Sequence, residues 1–212
     1  MKYKTIDKYA TGIYKEKGSK FLSFAMPAAT PANALEEIDR LKKNHPKARH
    51  HCFAYLISWP NPSYRTYDDG EPSGTAGLPI LNQIKSYGLT NVCIVVVRYF
   101  GGKLLGASGL ANAYKQSARD ALQNAIIIEE EVKKTYRLTF PYNRMGLVMD
   151  VLKMSNIEIV KKTFEERALV YFTLPLATHE TQLQKLINQL SESHGGGLPQ
   201  GILLELCETT AP

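Results

Sequence analysis

From the N-terminus, apolar and polar positions alternate in strand fashion up to a turn at 17–19, and "FLSFAM" (21–26) continues the alternation as the second arm of a hairpin. The period then lengthens. Ala34, Leu35, Ile38 and Leu41 recur at helical spacing, with Thr30 placed to cap, Pro31 suited to the first position and "NHP" (44–46) as a stop. "HCFAYLIS" (51–58) alternates again and predicts a strand, whereas the prolines and glycines of "WPNPSYRTYDDGEPSG" (59–74) predict an irregular loop. A second helix starts between Thr75 and Pro79, carries Ile80, Leu81, Ile84 and Tyr87 inward and ends at Gly88. The unbroken β-branched run in "NVCIVVVRYF" (91–100) predicts a central strand buried on both faces. A third helix follows over 107–124, with Leu110, Ala111, Tyr114, Ala118, Ala121 and Leu122 on one side.

At "IIIEEEVKK" (126–134) a short apolar strand gives way to charge, which marks a joint. Beyond it come a strand ("TYRLTF"), a helix (144–154), two strands ("IEIVKKTF" and "ALVYFTLPL") joined at "EER" (165–167), a helix (179–190), a mobile connection (191–201) and a last strand ("GILLELC"). That βαββαβ order is the ferredoxin-like split unit. The pattern therefore predicts an α+β chain of two domains, 1–131 and 132–212.

Composition narrows the class. With 44% hydrophobic and 22% charged residues in 212, the chain belongs among ordinary globular proteins. Its longest apolar run, 92–97, falls far short of the ~18 residues that span a bilayer, and the start has no apolar signal region, so no membrane partner and a cytoplasmic location are expected. Cys52, Cys93 and Cys207 contain no CxxC pair, which excludes a disulfide framework and a zinc knuckle; Cys52 and Cys93, in apolar runs, read as buried thiols. The formal charge is +6, and its excess is local: 17 Lys and Arg against 12 Asp and Glu in 1–131, but 9 against 8 in 132–212. A basic first domain suits a phosphate-rich partner.

Two loops concentrate the chemistry. "DDGEPSGTAG" (68–77) clusters Asp68, Asp69 and Glu71, oxygens that fit either a divalent cation or the positive end of the helix that follows. Its hydroxyls, Ser73 and Thr75, lack the Gly-x-Ser-x-Gly elbow of a nucleophile and read as helix caps. "RYFGGKLLGASGL" (98–110) runs from a buried strand through Gly101, Gly102, Gly106 and Gly109 into a helix, the geometry that offers amides to an anion, with Arg98, Lys103 and Ser108 alongside. It is neither a Walker loop nor a dinucleotide fingerprint. The alternative is packing, with Arg98 or Lys103 paired to Asp68, Asp69 or Glu71. Upstream, "HPKARHHC" (45–52) sets Lys47, Arg49, His50 and His51 before a strand; with Lys42 and Lys43 they form a basic patch, and Tyr55, Trp59, Tyr64 and Tyr67 offer rings for bases to stack on.

Together, "HPKARHHCFAY", "DDGEPSGTAG" and "VVVRYFGGKLLGASGLANAY" resemble the bacterial YigZ branch of the Impact family over most of 15–125. The resemblance implies that the first domain has the ribosomal protein S5 domain 2 fold, and that the second is ferredoxin-like and similar to the last domain of elongation factor G. Both folds recur in ribosome-associated proteins. The family signature falls on Asp68, Asp69, Gly70, Glu71, Pro72, Gly74, Thr75, Ala76 and Gly77, then on Arg98, Tyr99, Gly101, Gly102, Leu105, Gly106, Gly109 and Leu110. Ala107-Ser108 stands where many relatives have Thr-Gly. The function expected is a non-enzymatic, RNA- or ribosome-binding regulator of translation without a cofactor. Nucleic acid or another anion would be met by Lys47, Arg49, His50, His51, Arg98, Gly101, Gly102, Lys103, Gly106, Ser108 and Gly109. Two alternatives stand beside it: a metal-assisted hydrolase with Asp68, Asp69 and Glu71 as ligands and His50 or His51 as base, and a protein-interaction module.

Overall fold

The computed structural model describes residues 2–58, 62–191 and 198–207; Trp59 and most of the 191–201 connection lie outside the described residues. The chain divides into two compact units, Lys2–Glu130 and Glu131–Pro212, each with its own core.

The first unit comprises β1 (Lys2–Ile6), β2 (Ala10–Glu16), β3 (Ser19–Pro27), α1 (Pro31–Asn44), β4 (His50–Ile57), β5 (Ser63–Tyr67), α2 (Gly77–Ser86), β6 (Val92–Tyr99), α3 (Gly106–Gln123) and β7 (Ile127–Glu131). Lys17 and Gly18, at φ 46° and 83°, make the two-residue turn of the β2–β3 hairpin, a conformation that matches the strand twist. The sheet runs in the order β2-β3-β6-β4-β5, antiparallel throughout, and β1 pairs with β7 in a separate two-stranded sheet. Because side chains alternate across a strand, Val92, Ile94 and Val96 join the core beneath α2 and α3, while Cys93, Val95 and Val97 join the one beneath α1. The unbroken run in β6 thus reports burial on both faces, here in an antiparallel sheet.

Thr30 caps α1, its Oγ1 accepting from the Asn33 N–H at 3.1 Å, and Ala34, Ile38 and Leu41 face the sheet. Leu35, expected among them, is 39% exposed. At roughly 100° per residue it lies a quarter-turn from the centre of that stripe. The loop expected over 59–74 contains β5, an edge strand with Tyr64, Arg65, Thr66 and Tyr67 all exposed. No alternation marks it, since what forms it is the free edge of β4, with Tyr67 opposite Phe53 and Ser63 opposite Ile57.

The second unit runs β8 (Lys133–Phe140), a 3₁₀ turn at Tyr142–Arg144, α4 (Met145–Met154), β9 (Glu158–Phe164), β10 (Ala168–Pro175), α5 (His179–Ser191) and β11 (Leu203–Cys207). Its antiparallel sheet, β11-β8-β10-β9, has the ferredoxin-like order that the pattern predicts. Tyr136, Leu138 and Phe140 with Val170, Phe172 and Leu174 form one apolar face, packed in a core with Val148, Val151 and Leu152 of α4 and Leu186 and Leu190 of α5. Among the described residues, no helix is long and apolar enough to cross a membrane.

Candidate functional site

The strand register brings the first elements of the site together. At the end of β6, Arg98 lies between His50 of β4 and Phe21 of β3. It continues the Val92–Ile94–Val96 parity, so its guanidinium enters the α2–α3 side of the sheet, where only 4% of the residue is exposed. A charge so placed needs a partner. Glu71 supplies it, with Oε1 at 2.6 Å from Arg98 Nη1 and both side chains almost fully buried. Tyr114 of α3 donates its hydroxyl to the same oxygen at 2.8 Å, and His50 Nε2 stands 3.9 Å away. The rings of Phe21 and Phe100 flank the guanidinium at 5.3 and 5.5 Å. Ser19 Oγ accepts from Arg98 Nη2 at 3.4 Å and from the Gly101 N–H at 3.1 Å, while Arg98 Nε is buried without a hydrogen-bond partner among the described residues. Cys52 Sγ lies 3.0 Å from the Asp68 carbonyl and 3.2 Å from the Tyr114 hydroxyl. Burial pushes the pKa of this thiol and of the Tyr114 hydroxyl well up, so both remain protonated.

The three carboxylates of the acidic loop diverge. Asp68 Oδ1 accepts from the N–H groups of Ala76 and Gly77 at 3.0 and 2.8 Å, and its Oδ2 from the Gly74 N–H at 2.9 Å. This carboxylate, rather than a hydroxyl, satisfies the first amides of α2. The expectation for Ser73 and Thr75 is corrected accordingly: Ser73 is exposed, and Thr75 donates to the Pro72 carbonyl at 2.6 Å. A carboxylate has two acceptors and a longer reach, so one residue at the loop's start closes it over three amides. Asp69 occupies the left-handed region (φ 44°), which turns its Oδ2 onto the His51 N–H at 2.6 Å and its carbonyl onto His50 Nδ1 at 2.7 Å. Asp68 thus serves α2, Asp69 serves β4 and Glu71 serves β6. Among the described residues, no group of three or more His, Cys, Asp or Glu is arranged to hold a metal ion.

His50 and His51 do not act as a pair, because consecutive strand residues face opposite ways. His51 points to the α1 side, 8% exposed, its Nε2 3.2 Å from the His45 carbonyl and its Nδ1 3.8 Å from Asp69 Oδ2. Burial lowers its pKa and favours the neutral ring. Neither His51 nor Arg98 presents a cation to solvent, which removes both from the expected anion-binding set.

In the glycine-rich loop, Gly101 packs directly on the β2–β3 turn: a Cβ there would stand 1.9 Å from Gly18 C and 2.2 Å from Ser19 N. The rest of the loop stays open. Lys103 is exposed and makes no ion pair among the described residues, Leu104 is 85% exposed, and α3 begins at Gly106 without a side-chain cap or an acidic residue in its first turn. Gly102 and Ser108 are exposed and Gly109 half-buried. Arg98 takes the packing alternative, while Lys103 and the first residues of α3 face solvent.

Lys42, Lys43, Lys47 and Arg49 are all exposed. Tyr55 is buried, but Tyr64 and Tyr67 on β5 are 66% and 40% exposed. Lys85 Nζ stands 5.6 Å from the Tyr64 ring centre, Lys42 Nζ 6.0 Å from that of Tyr67, and the Arg65 guanidinium 5.7 Å from that of Phe53. Arg65 and Lys85 are absent from the expected set; Arg65 sits in the exposed "SYRTY" strand and Lys85 in the last turn of α2.

These features define a two-unit α+β protein whose acidic and glycine-rich loops are joined through a buried Arg–Glu pair. The Impact N-terminal domain matches residues 17–122, half of the chain, and the chain belongs to the Impact family. It is 33% identical to an IMPACT family member of Haemophilus influenzae over 86% of this chain and 87% of that one. It is 31% identical to IMPACT family member YigZ of Escherichia coli over 79% and 83%, respectively. A solved structure described as that of a hypothetical protein superposes with a TM-score of 0.73 at 27% identity, covering 96% of both chains.

Proposed function

We propose that this chain is a non-enzymatic regulator of translation that binds RNA on a ribosomal surface through the β5 edge and the end of α1. The observation that carries this reading is the set of exposed tyrosine rings beside cations, Tyr64 with Lys85 and Tyr67 with Lys42. Each stacked base contributes about 1–3 kcal/mol on such rings whatever its identity. Lys42, Lys43, Lys47 and Arg49 face solvent, Lys42 beside the Tyr67 ring, and Lys103 with the α3 amides would add a separate phosphate contact. The basic excess of 1–131 supports the same reading.

Binding of single-stranded RNA and of purified ribosomal subunits, followed by fluorescence anisotropy across a salt series, tests it. About four neutralised phosphates would give a slope near −3 in log K against log salt. Replacing Tyr64 and Tyr67 together by alanine is expected to raise Kd by about tenfold or more. Absence of salt-sensitive binding to either target would overturn the reading.

A further inference from the structure

Between Glu71 and Asp120 the chain has no carboxylate side chain at all, and that stretch contains α2 and all of α3 but its last four residues. Asp120, which ends it, is committed to β2, its Oδ2 accepting from the Ile13 N–H at 2.8 Å. The outer rows of the two helices and the loop before α3 therefore carry only positive charge. Lys85, Lys103, Lys115 and Arg119 are exposed there, with no ion pair among the described residues. The positive end of α2 is met by Asp68, whereas α3 has no acidic residue in its first turn and its dipole end adds to the same potential. α2 and α3 enclose a groove of about 390 Å³, lined by Pro79, Asn82 and Gln83 from one helix and Ala111, Asn112 and Lys115 from the other. Leu78 and Leu104, at 48% and 85% exposure, present apolar side chains at the N-terminal ends of the same helices.

We propose that the α2–α3 face docks an acidic, amphipathic peptide segment of a partner protein, whose apolar side chains enter this groove while its carboxylates meet Lys115 and Arg119. The lining chooses a peptide over RNA. Among the described residues no aromatic ring borders the groove for a base to stack on, its apolar surface comes from Pro79 and Ala111, and the amides of Asn82 and Asn112 suit a peptide backbone. Complementary charge fixes the orientation and speeds the encounter.

The test uses the full chain and a fluorescein-labelled synthetic 16-residue peptide with leucines on one helical face and glutamates elsewhere. A peptide of the same composition with its leucines scattered serves as control. The first is expected to bind at least about tenfold more tightly than the second, since only one presents an apolar face. Lys115→Glu reverses a charge beside the groove and Asn112→Trp fills the groove from its exposed rim; each is expected to weaken the peptide by about tenfold or more, with thermal unfolding unchanged. Poly(U) binding is expected to survive both substitutions, so this inference and the RNA reading fail separately. Equal affinity for the two peptides, equal binding by the parent and both variants, or displacement of the peptide by poly(U) would overturn the proposal.

Discussion

Arg98 enters the interior because its parity on β6 is that of Val96, and its charge is met there by Glu71, whose Oε1 also accepts from the Tyr114 hydroxyl. Breaking a buried pair costs more than deleting it, since the survivor keeps its desolvation penalty. Glu71→Gln is therefore expected to destabilise the protein by about 3–5 kcal/mol. Arg98→Met combined with Glu71→Leu should cost less than either change alone. Urea unfolding of Glu71→Gln, the double variant and its two single parents at constant m measures this, and additive losses in the cycle would refute the coupling. His51 sets a pH dependence of its own. Burial lowers its folded pKa although the His45 carbonyl and the Asp69 carboxylate, 3.8 Å away, favour the proton. As pH falls through about 6.5 the unfolded chain takes up a proton before the folded one does. This contribution to stability is whole above that pH and declines below it, towards the folded pKa. The parent should lose stability between pH 7 and 5 more steeply than His51→Gln; identical slopes would show that another group sets the dependence.

Among the elements, the glycine-rich loop and the β2–β3 turn are held by backbone contact. Gly101→Ala would drive a Cβ into the backbone of Gly18 and Ser19, whereas at Gly74 (φ 75°) nothing lies within 4 Å. The first substitution is expected to cost more than about 2 kcal/mol. The second adds only left-handed strain, about 1 kcal/mol. Thermal melts of both variants compare them, and equal shifts would mean that the loop relaxes away from the turn. Helix spans such as α1 and α3 are legible in the sequence because the apolar period is a local property that the backbone imposes. The cap of α2 is not, because three residue types near its start carry suitable oxygens and only the path of the loop selects Asp68. β5 escapes pattern altogether, its exposed side chains giving no alternation to detect.

At the scale of the whole molecule, the α+β class, the joint near 131 and the βαββαβ order of the second unit follow from patterning and element order alone. So does burial of both faces of β6, since an unbroken apolar run has no polar side to show to water. The basic character of the first unit and the carboxylate-free stretch across α2 and α3 are likewise properties of the sequence. Pairing is different. That Glu71 meets Arg98 while Asp68 and Asp69 do not, that His50 and His51 serve opposite faces, and that β1 finds β7 across the length of the unit were decided by register and loop path. Composition and period act within a few residues of chain; which charge is buried against which, and which remains free for a partner, depends on contacts between residues far apart in sequence that only the folded sheet brings into range.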